Sequence, residues 1–151
     1  MTLALDFAFV ARVTVAPPLE LGATPSGRRR IIAITGGTVE GPRLTGVVLP
    51  GGADWQTIRG DGVAELKARY TLKAEDGGLI AVVNRGLRHG TEAAMKQLLA
   101  GEPADPGSYY FRSTPVFETA APAYQWLTRT VFVASGLRHP EFVELRVYAV
   151  L

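Results

Sequence analysis

The segment from residue 63 to residue 84 constrains the fold more than any other part of the sequence. Its first half, residues 63–73, alternates strictly between apolar and polar side chains, which is the period-two pattern of a half-buried strand. The apolar face carries Ala64, Leu66, Ala68, Tyr70 and Leu72. The pair Asp76-Gly77 is a strong turn signal, and the apolar residues 79–84 follow it. The segment therefore predicts an antiparallel β-hairpin.

Further short strands are predicted on both sides of this hairpin, at residues 3–15, 31–35, 43–49, 109–118, 126–135 and 142–151. Turn residues predict a loop over 18–29, and the pair Gly36-Gly37 is expected to stop the strand before it. Pro115 is expected to interrupt its strand with an edge, a bulge or a bend, because proline has no N–H for a ladder hydrogen bond. Residues 120–125 are predicted to be a loop or short turn.

One α-helix is predicted, over residues 91–100. Thr91 is the expected N-cap, and Gly101 and Pro103 are the expected stop signals. The apolar residues of this helix mark one face, which is expected to lie over a barrel end; they are Ala94, Met95, Leu98 and Leu99.

About eight to ten short strands with short turns between them indicate an all-β fold, either an antiparallel barrel or a sandwich. We favour the barrel, because both termini are predicted strands whose pairing would remove the sheet edges. The chain of 151 residues has no internal repeat and no linker. The prediction is therefore a single domain, residues 1–151, with a lipocalin- or calycin-like antiparallel β-barrel.

Composition excludes several classes of chemistry. There is no cysteine, so disulfides, thiol catalysis and thiolate metal sites are excluded. Two histidines are too few for an all-histidine zinc site. The glycine pairs lack the spacing of a dinucleotide fingerprint. We therefore expect neither a metal nor a cofactor.

Charge and hydropathy bear on partners and location. The net charge of +2 is too small to indicate nucleic-acid binding, and Arg28-Arg29-Arg30 is interpreted as a charged turn before a strand rather than a phosphate-binding patch. The N-terminus is interpreted as a strand and not a signal peptide, and no apolar run reaches the roughly 18 residues of a spanning helix. A cytoplasmic protein with no membrane partner is expected. A homodimer or larger homo-oligomer is compatible with a small barrel, although no residue argues for it.

The stretch from Gly36 to Trp55 is the predicted site region. It contains six glycines and two prolines around an apolar middle, and it ends on Asp54-Trp55. Such a stretch is expected to build a shaped wall beside a cavity. An indole next to Asp54 would raise the pKa of that carboxylate and fit it for proton transfer. The alternative is a solvated turn aspartate that accepts a local backbone hydrogen bond.

Arg112 lies between aromatic residues in the string YYFRSTP. An arginine in this setting can bind an anionic or phenolate oxygen, but it can equally stack on a ring or pair with Glu118. Arg69 falls on the polar face of its strand and can be simply solvated. Tyr70 and Trp126 are pocket candidates whose alternative is ordinary packing.

Five strings together resemble the domain-of-unknown-function 3237 family. They are GRRRIIAITGGTVEGPRLTGVVLPGGADW, DGVAELKARYTL, DGGLIAVVNRG, YYFRSTPVFET and YQWLTRTVFVASG, in that order, and the resemblance extends from about residue 3 to the end. One small departure is Gly78-Leu79-Ile80, where an alanine after the Asp-Gly turn is commoner. The resemblance implies a compact β-barrel. It also implies, from fungal members in aromatic polyketide pathways, a cyclase chemistry that adds a hydroxyl across an alkene.

The resemblance carries a set of candidate site residues onto this chain: Arg43, Asp54, Trp55, Arg69, Tyr70, Arg112, Glu118 and Trp126. We expect Asp54 to be the general acid or base and Arg112 to stabilise an oxyanion, while the other six contact the substrate. The predicted function is a cofactor-independent cyclase, lyase or isomerase that acts on a small aromatic or unsaturated substrate. The alternative is a non-catalytic barrel that binds a small apolar or aromatic ligand.

Overall fold

The computed structural model describes residues 1–151 and contains ten strands, one α-helix and two short 3₁₀ helices. The strands are β1 (Leu5–Val15), β2 (Leu19–Thr24), β3 (Gly27–Glu40), β4 (Gly46–Val48), β5 (Ala53–Ile58), β6 (Ala64–Ala74), β7 (Leu79–Gly90), β8 (Tyr109–Glu118), β9 (Phe132–Arg138) and β10 (Phe142–Val150). The α-helix α1 spans Glu92–Leu99, and the 3₁₀ helices span Pro106–Ser108 and Pro122–Thr128.

The strands close into an antiparallel barrel. Starting from β1, the neighbouring strands are β10, β9, β8, β7 and β6 in that order. The next position is shared by β4 and β5, which both lie between β6 and β3. Strand β3 then pairs with β1 and completes a ring of eight positions, while β2 pairs with β3 alone. The predicted antiparallel barrel of eight to ten strands is confirmed.

The predicted hairpin forms as β6 and β7, in a register that runs from Ala64 opposite Arg88 to Lys73 opposite Leu79. The predicted apolar face of β6 points into the barrel, where Ala64, Leu66, Tyr70 and Leu72 are buried. Strand β7 continues past the predicted end at residue 84 to Gly90, so residues 85–90 belong to the barrel wall.

The predicted stop at Gly36-Gly37 is wrong, because β3 runs through both glycines to Glu40. Gly37 has φ +143°, and a Cβ there would lie 2.1 Å from the carbonyl oxygen of Arg12. The glycine is needed because β1 approaches β3 closely at the seam that closes the ring. The predicted loop over 18–29 is also wrong, since β2 and the start of β3 form a second hairpin there.

Of the alternatives predicted for Pro115, the structure has the edge. Pro115 lies opposite Asn84 on β7 in a continuous ladder, while pairing with β9 on the other side is confined to Arg112 and Ser113. The strand predicted over residues 126–135 needs correction. Residues 126–131 are not part of a strand. The 3₁₀ helix Pro122–Thr128 includes residues 126–128, and β9 begins only at Phe132. The Gln125 amide fixes this helix by donating to the carbonyls of Thr119 and Ala121, 3.0 Å away in each case.

The two ends of the barrel differ in chemistry. At one end the 3₁₀ helix Pro122–Thr128 buries Leu127 near the aromatic cluster of Phe9, Phe117 and Phe132, whose ring centroids are 5.0–6.0 Å apart. At the other end α1 follows β7 and buries Ala94, Met95 and Leu98. The Thr91 hydroxyl accepts a hydrogen bond from the Ala94 N–H at 3.1 Å, as expected of the N-cap.

The longest helix, α1, has eight residues, and none of the helices has the length and hydropathy that crossing a membrane requires.

Candidate functional site

Asp54 points into the barrel. It lies on β5 opposite Ile32 of β3 and Ala68 of β6, so it is part of a strand and not of the predicted glycine-rich turn. Neighbouring strand residues face opposite sides, so Trp55 points outward and is 37% exposed. The indole therefore does not form the surroundings of the carboxylate; the barrel interior does.

Two hydrogen bonds fix the Asp54 carboxylate. The Gln56 amide donates to Oδ2 at 2.9 Å, and the Lys67 backbone N–H donates to Oδ1 at 3.0 Å. Burial raises the pKa of Asp54 above its ordinary value, and these two hydrogen bonds together with the charges of Arg88 and Arg30 offset only part of that rise. A carboxyl in this state is suited to gaining and losing a proton.

Three arginines share the α1 end of the barrel with Asp54. Arg30 of β3 and Arg88 of β7 are each only 3% exposed, and Arg138 ends β9. The Arg88 side chain makes no hydrogen bond and no ion pair within 4 Å, and its guanidinium carbon lies 5.6 Å from the Phe111 ring centroid. Arg30 has one partner, since its Nε lies 3.2 Å from Glu20 Oε1, without the alignment of a hydrogen bond.

Electrostatics links these groups. Burial lowers the pKa of Arg88 to about 10, the Asp54 charge works against that change, and the charges of Arg138 and Arg30 add to it. Burial also lowers the pKa of Arg30 and of Arg138. Arginine keeps its charge at neutral pH in proteins, so the interior holds a surplus of positive charge around one carboxylate.

Two adjacent spaces adjoin these groups. A cavity of about 50 Å³ inside the barrel is lined by Asp54, Tyr70, Asn84, Ser113 and apolar side chains. A larger pocket of about 600 Å³ lies between α1 and the barrel rim, and Arg30 and Arg138 are in its wall. Val15 belongs to both walls. We call the larger space the mouth pocket.

Several buried polar atoms in the interior have no hydrogen-bond partner. They are Gln56 Oε1, Asn84 Oδ1, Ser113 Oγ and the Nε atoms of Arg30 and Arg88. Buried polar groups are normally paired, so these atoms are available to hydrogen-bond a bound molecule or water. Among these polar side chains no group of three or more His, Asp or Glu comes together as a metal-ligand set.

Of the residues predicted from the sequence, only Tyr70 shares the interior with Asp54. It is buried, and burial followed by the Asp54 charge raises the pKa of its hydroxyl. It lines the small cavity, so it both packs in the core and borders the candidate site.

Arg112 lies on the outer face of β8 and does not share a cavity with Asp54. Its Nη1 donates to the Phe111 carbonyl at 2.9 Å, and its guanidinium carbon is 5.5 Å from the Tyr110 ring centroid. It forms no ion pair with Glu118, which is exposed on the same face, and Arg69 on β6 also faces outward. Arg112 and Trp55 instead line an open outer trough of about 1030 Å³.

Arg43 and Trp126 lie at the end of the barrel opposite α1. The Arg43 guanidinium carbon lies 3.8 Å from the Trp126 ring centroid, and Nη1 is 3.5 Å from Asp6 Oδ2. Trp126 packs against Phe132, with the ring centroids 5.9 Å apart. These contacts stabilise the apolar end and place both residues far along the barrel from the arginine cluster.

Arg30 and Arg88 are not predicted from the sequence, although both fall in the period-two row of buried residues on their strands. Arg30 is in phase with the buried Ile32 and Ile34, and Arg88 is in phase with Ile80 and Val82. Interpreting the run of three arginines as a turn, and ending the predicted hairpin at residue 84, hides this parity. An arginine in phase with a buried apolar row is the signal that finds them.

The fold and this interior define a class of protein: a small closed β-barrel with a polar, arginine-rich site at one end. The model of the family described as "Protein of unknown function (DUF3237)" matches residues 3–150, and the chain belongs to that family.

Relatives and solved structures agree over the whole chain. A UPF0311 protein of Rhodopseudomonas palustris is 41% identical over 150 residues, covering 99% of this chain and 98% of its own. The crystal structure of that organism's conserved protein of unknown function has a TM-score of 0.95 at 40% identity and covers 100% of this chain and 99% of its own. A structure from Acinetobacter baumannii described as a beta-barrel like protein has a TM-score of 0.88 at 42% identity, covering 100% and 98%.

A more distant relative is described as the hydroalkoxylation enzyme phnH of Penicillium herquei. It is 27% identical over 123 residues, which cover 82% of this chain and 67% of its own. The crystal structure of an enzyme from the same fungus has a TM-score of 0.74 at 20% identity, covering 100% and 96%, and shows a shared fold.

Proposed function

We propose that this protein is a cofactor-independent enzyme that moves protons on a small aromatic or unsaturated substrate, with Asp54 as the acid–base group. The observation that carries the proposal is the Asp54 carboxyl, held inside the barrel by Gln56 and Lys67 and raised in pKa by burial. A carboxyl that only caps a turn or pairs on the surface has no such environment.

The arginines supply the second part of the chemistry. Proton removal from a hydroxyl or an activated carbon leaves negative charge on an oxygen, and preorganised donors in a water-poor site stabilise that charge. Arg88 has all its donors free, and Arg30 has one partner. We therefore assign the oxyanion role expected of Arg112 to Arg88, with Arg30 beside it.

A cyclisation illustrates how these groups act together. The Asp54 carboxylate takes the proton of a substrate hydroxyl, and the oxygen adds to the alkene carbon of an unsaturated carbonyl in the same molecule. The electron pair moves to the carbonyl oxygen as an enolate beside Arg88. Asp54 then returns the proton to the neighbouring carbon, so the product is an isomer of the substrate and no cofactor is consumed.

The size of the two spaces favours the mouth pocket as the substrate site. The inner cavity of about 50 Å³ is too small for a ring, whereas the mouth pocket of about 600 Å³ is in the range of ligand sites. The reacting end of the substrate would reach Asp54 past Val15, which both walls share. The name of the Penicillium herquei relative, a hydroalkoxylation enzyme, supports this reaction class for the proposal.

The second candidate is a binding barrel without turnover, which is favoured by the small volume next to Asp54. One experiment distinguishes the enzyme from the binding barrel. The protein is incubated with a panel of phenolic enones, and consumption, isomer formation and binding are followed by chromatography and calorimetry. We expect at least one compound to be converted to an isomer faster than in buffer. Binding across the panel with no conversion would instead establish the binding barrel.

A further inference from the structure

The α1 end of the barrel has more positive than negative charge facing its interior. Arg30, Arg88 and Arg138 are matched by Asp54 and by Glu141 on the rim of the mouth pocket. Glu20 also reaches Arg30, but the same carboxylate binds the exposed Arg28, with 3.0 Å from Nη2 to Oε1. If Glu20 is counted with Arg28, the three interior arginines are balanced by only two carboxylates, those of Asp54 and Glu141. One positive charge is then left without a counter-charge.

This surplus is costly because it is buried. Arg30 and Arg88 are each more than nine-tenths buried and donate no hydrogen bond, and burying a charged donor group in this way is unfavourable. A ligand of opposite charge in the adjoining pocket would supply the missing acceptor. A guanidinium with free, coplanar donors matches a carboxylate in particular, since it can bind both oxygens at once.

Apart from the arginines, Thr14 and Glu141, the walls of the mouth pocket are apolar. Leu98 and Leu99 of α1 form one side, and Val15, Pro17 and Pro18 form the other. A ligand that fits these walls therefore has an apolar body and one negatively charged end, directed toward the arginines.

We propose that the natural ligand is a small aromatic or unsaturated carboxylic acid, bound in the mouth pocket as a monoanion with its carboxylate on Arg30, the most deeply buried arginine of the pocket wall. This inference rests on the proposed function for the reactivity of the ligand, but the binding it predicts does not require turnover. A single negative charge balances the surplus of the site, whereas a doubly charged phosphate would exceed it.

The test is calorimetric titration with cinnamate and with its neutral methyl ester. We expect cinnamate to bind at least about tenfold more tightly than the ester, a difference of about 1.4 kcal/mol. The Arg30→Gln variant should lose at least about tenfold in cinnamate affinity and nothing in ester affinity. The matched control is Arg69→Gln, an exposed arginine on the outer face of β6, which should change cinnamate affinity by less than about twofold.

Equal affinities for acid and ester, or no binding of either, would overturn the inference. So would an Arg30→Gln variant that binds cinnamate as the wild type does. If circular dichroism shows that this variant does not fold, the acid–ester comparison on the wild-type protein decides alone. Turnover of neutral compounds with no preference for acids would refute this inference only. Tight acid binding with no turnover of any compound would refute the proposed function only.

Discussion

Replacing Asp54 with asparagine is expected to lower turnover of any converted substrate by at least about 100-fold while the barrel stays folded, because the variant has lost its acid–base group. The fold should tolerate the change. Asparagine Oδ1 can still accept from the Lys67 N–H, and its amide can donate to Gln56 Oε1, which has no partner in the wild type, once the Gln56 amide turns over.

The control is Asp6→Asn, which removes an exposed carboxylate at the opposite end of the barrel, 3.5 Å from Arg43. Its turnover should match that of the wild type. Rates are measured on the best compound of the enone panel, and folding is measured by circular dichroism. An Asp54→Asn variant that retains the wild-type rate would remove Asp54 from the mechanism.

The same substitution should change the pH dependence of stability. Burial raises the folded-state pKa of Asp54 above its ordinary value of 3.8, so the folded protein holds this proton over a pH range where the unfolded chain has released it. The contribution of the protonated Asp54 carboxyl to the free energy of unfolding is fully present below pH 3.8 and is lost as pH rises through the folded-state pKa. We therefore expect the melting temperature of Asp54→Asn, relative to the wild type, to rise with pH across that window. A relative melting temperature that falls instead would mean that the carboxylate is stabilised by its charge.

Gly37→Ala is expected to destabilise the barrel by at least about 3 kcal/mol, because the new Cβ would meet backbone atoms that cannot move aside. The Cβ would lie 2.1 Å from the Arg12 carbonyl oxygen and 3.1 Å from Val13 Cα, and φ of +143° is unfavourable for alanine. Gly37 pairs with Val13 at the seam between β1 and β3. Moving the two strands apart to relieve the clash would break the pairing that closes the ring.

Urea unfolding measures this effect, and Gly60→Ala is the matched control. Gly60 lies in the turn between β5 and β6, where its φ is not positive and no atom lies within 4 Å of the place that a Cβ would take. Its replacement should therefore change the free energy of unfolding by less than about 0.5 kcal/mol. Equal stabilities of the two variants would show that the β1–β3 seam does not require a glycine.

The barrel could be predicted from the sequence because its signals are local. The alternation in β6, the Asp-Gly turn and the Thr91 cap each act within a few residues, and the structure contains all three. The seam could not be predicted, because Gly37 is explained by the position of Arg12, which is distant in the chain. A glycine pair looks the same in sequence whether it ends a strand or lets another strand approach.

The candidate site was predictable in part. An acid beside a glycine-rich segment is unusual, and this singles out Asp54, although the indole argument for its environment is wrong. Arg112 stands out because aromatic neighbours surround it in the sequence. In a strand, adjacent residues point to the opposite face of the sheet, and residues two apart lie beside Arg112 on the same face. Which of the two faces points into the barrel is set by the register with β7 and β9. The arginines that do surround Asp54 come from β3, β7 and β9, so only the closed ring brings them together.

The most direct test of the central claim, that the functional site lies at the α1 end of the barrel interior, is a crystal structure with cinnamate bound. We predict electron density for the ligand in the mouth pocket, with its carboxylate within hydrogen-bond distance of Arg30 and its double bond toward Asp54. Density confined to the outer trough beside Trp55 and Arg112 would contradict the account and return the site to the outer surface of the barrel.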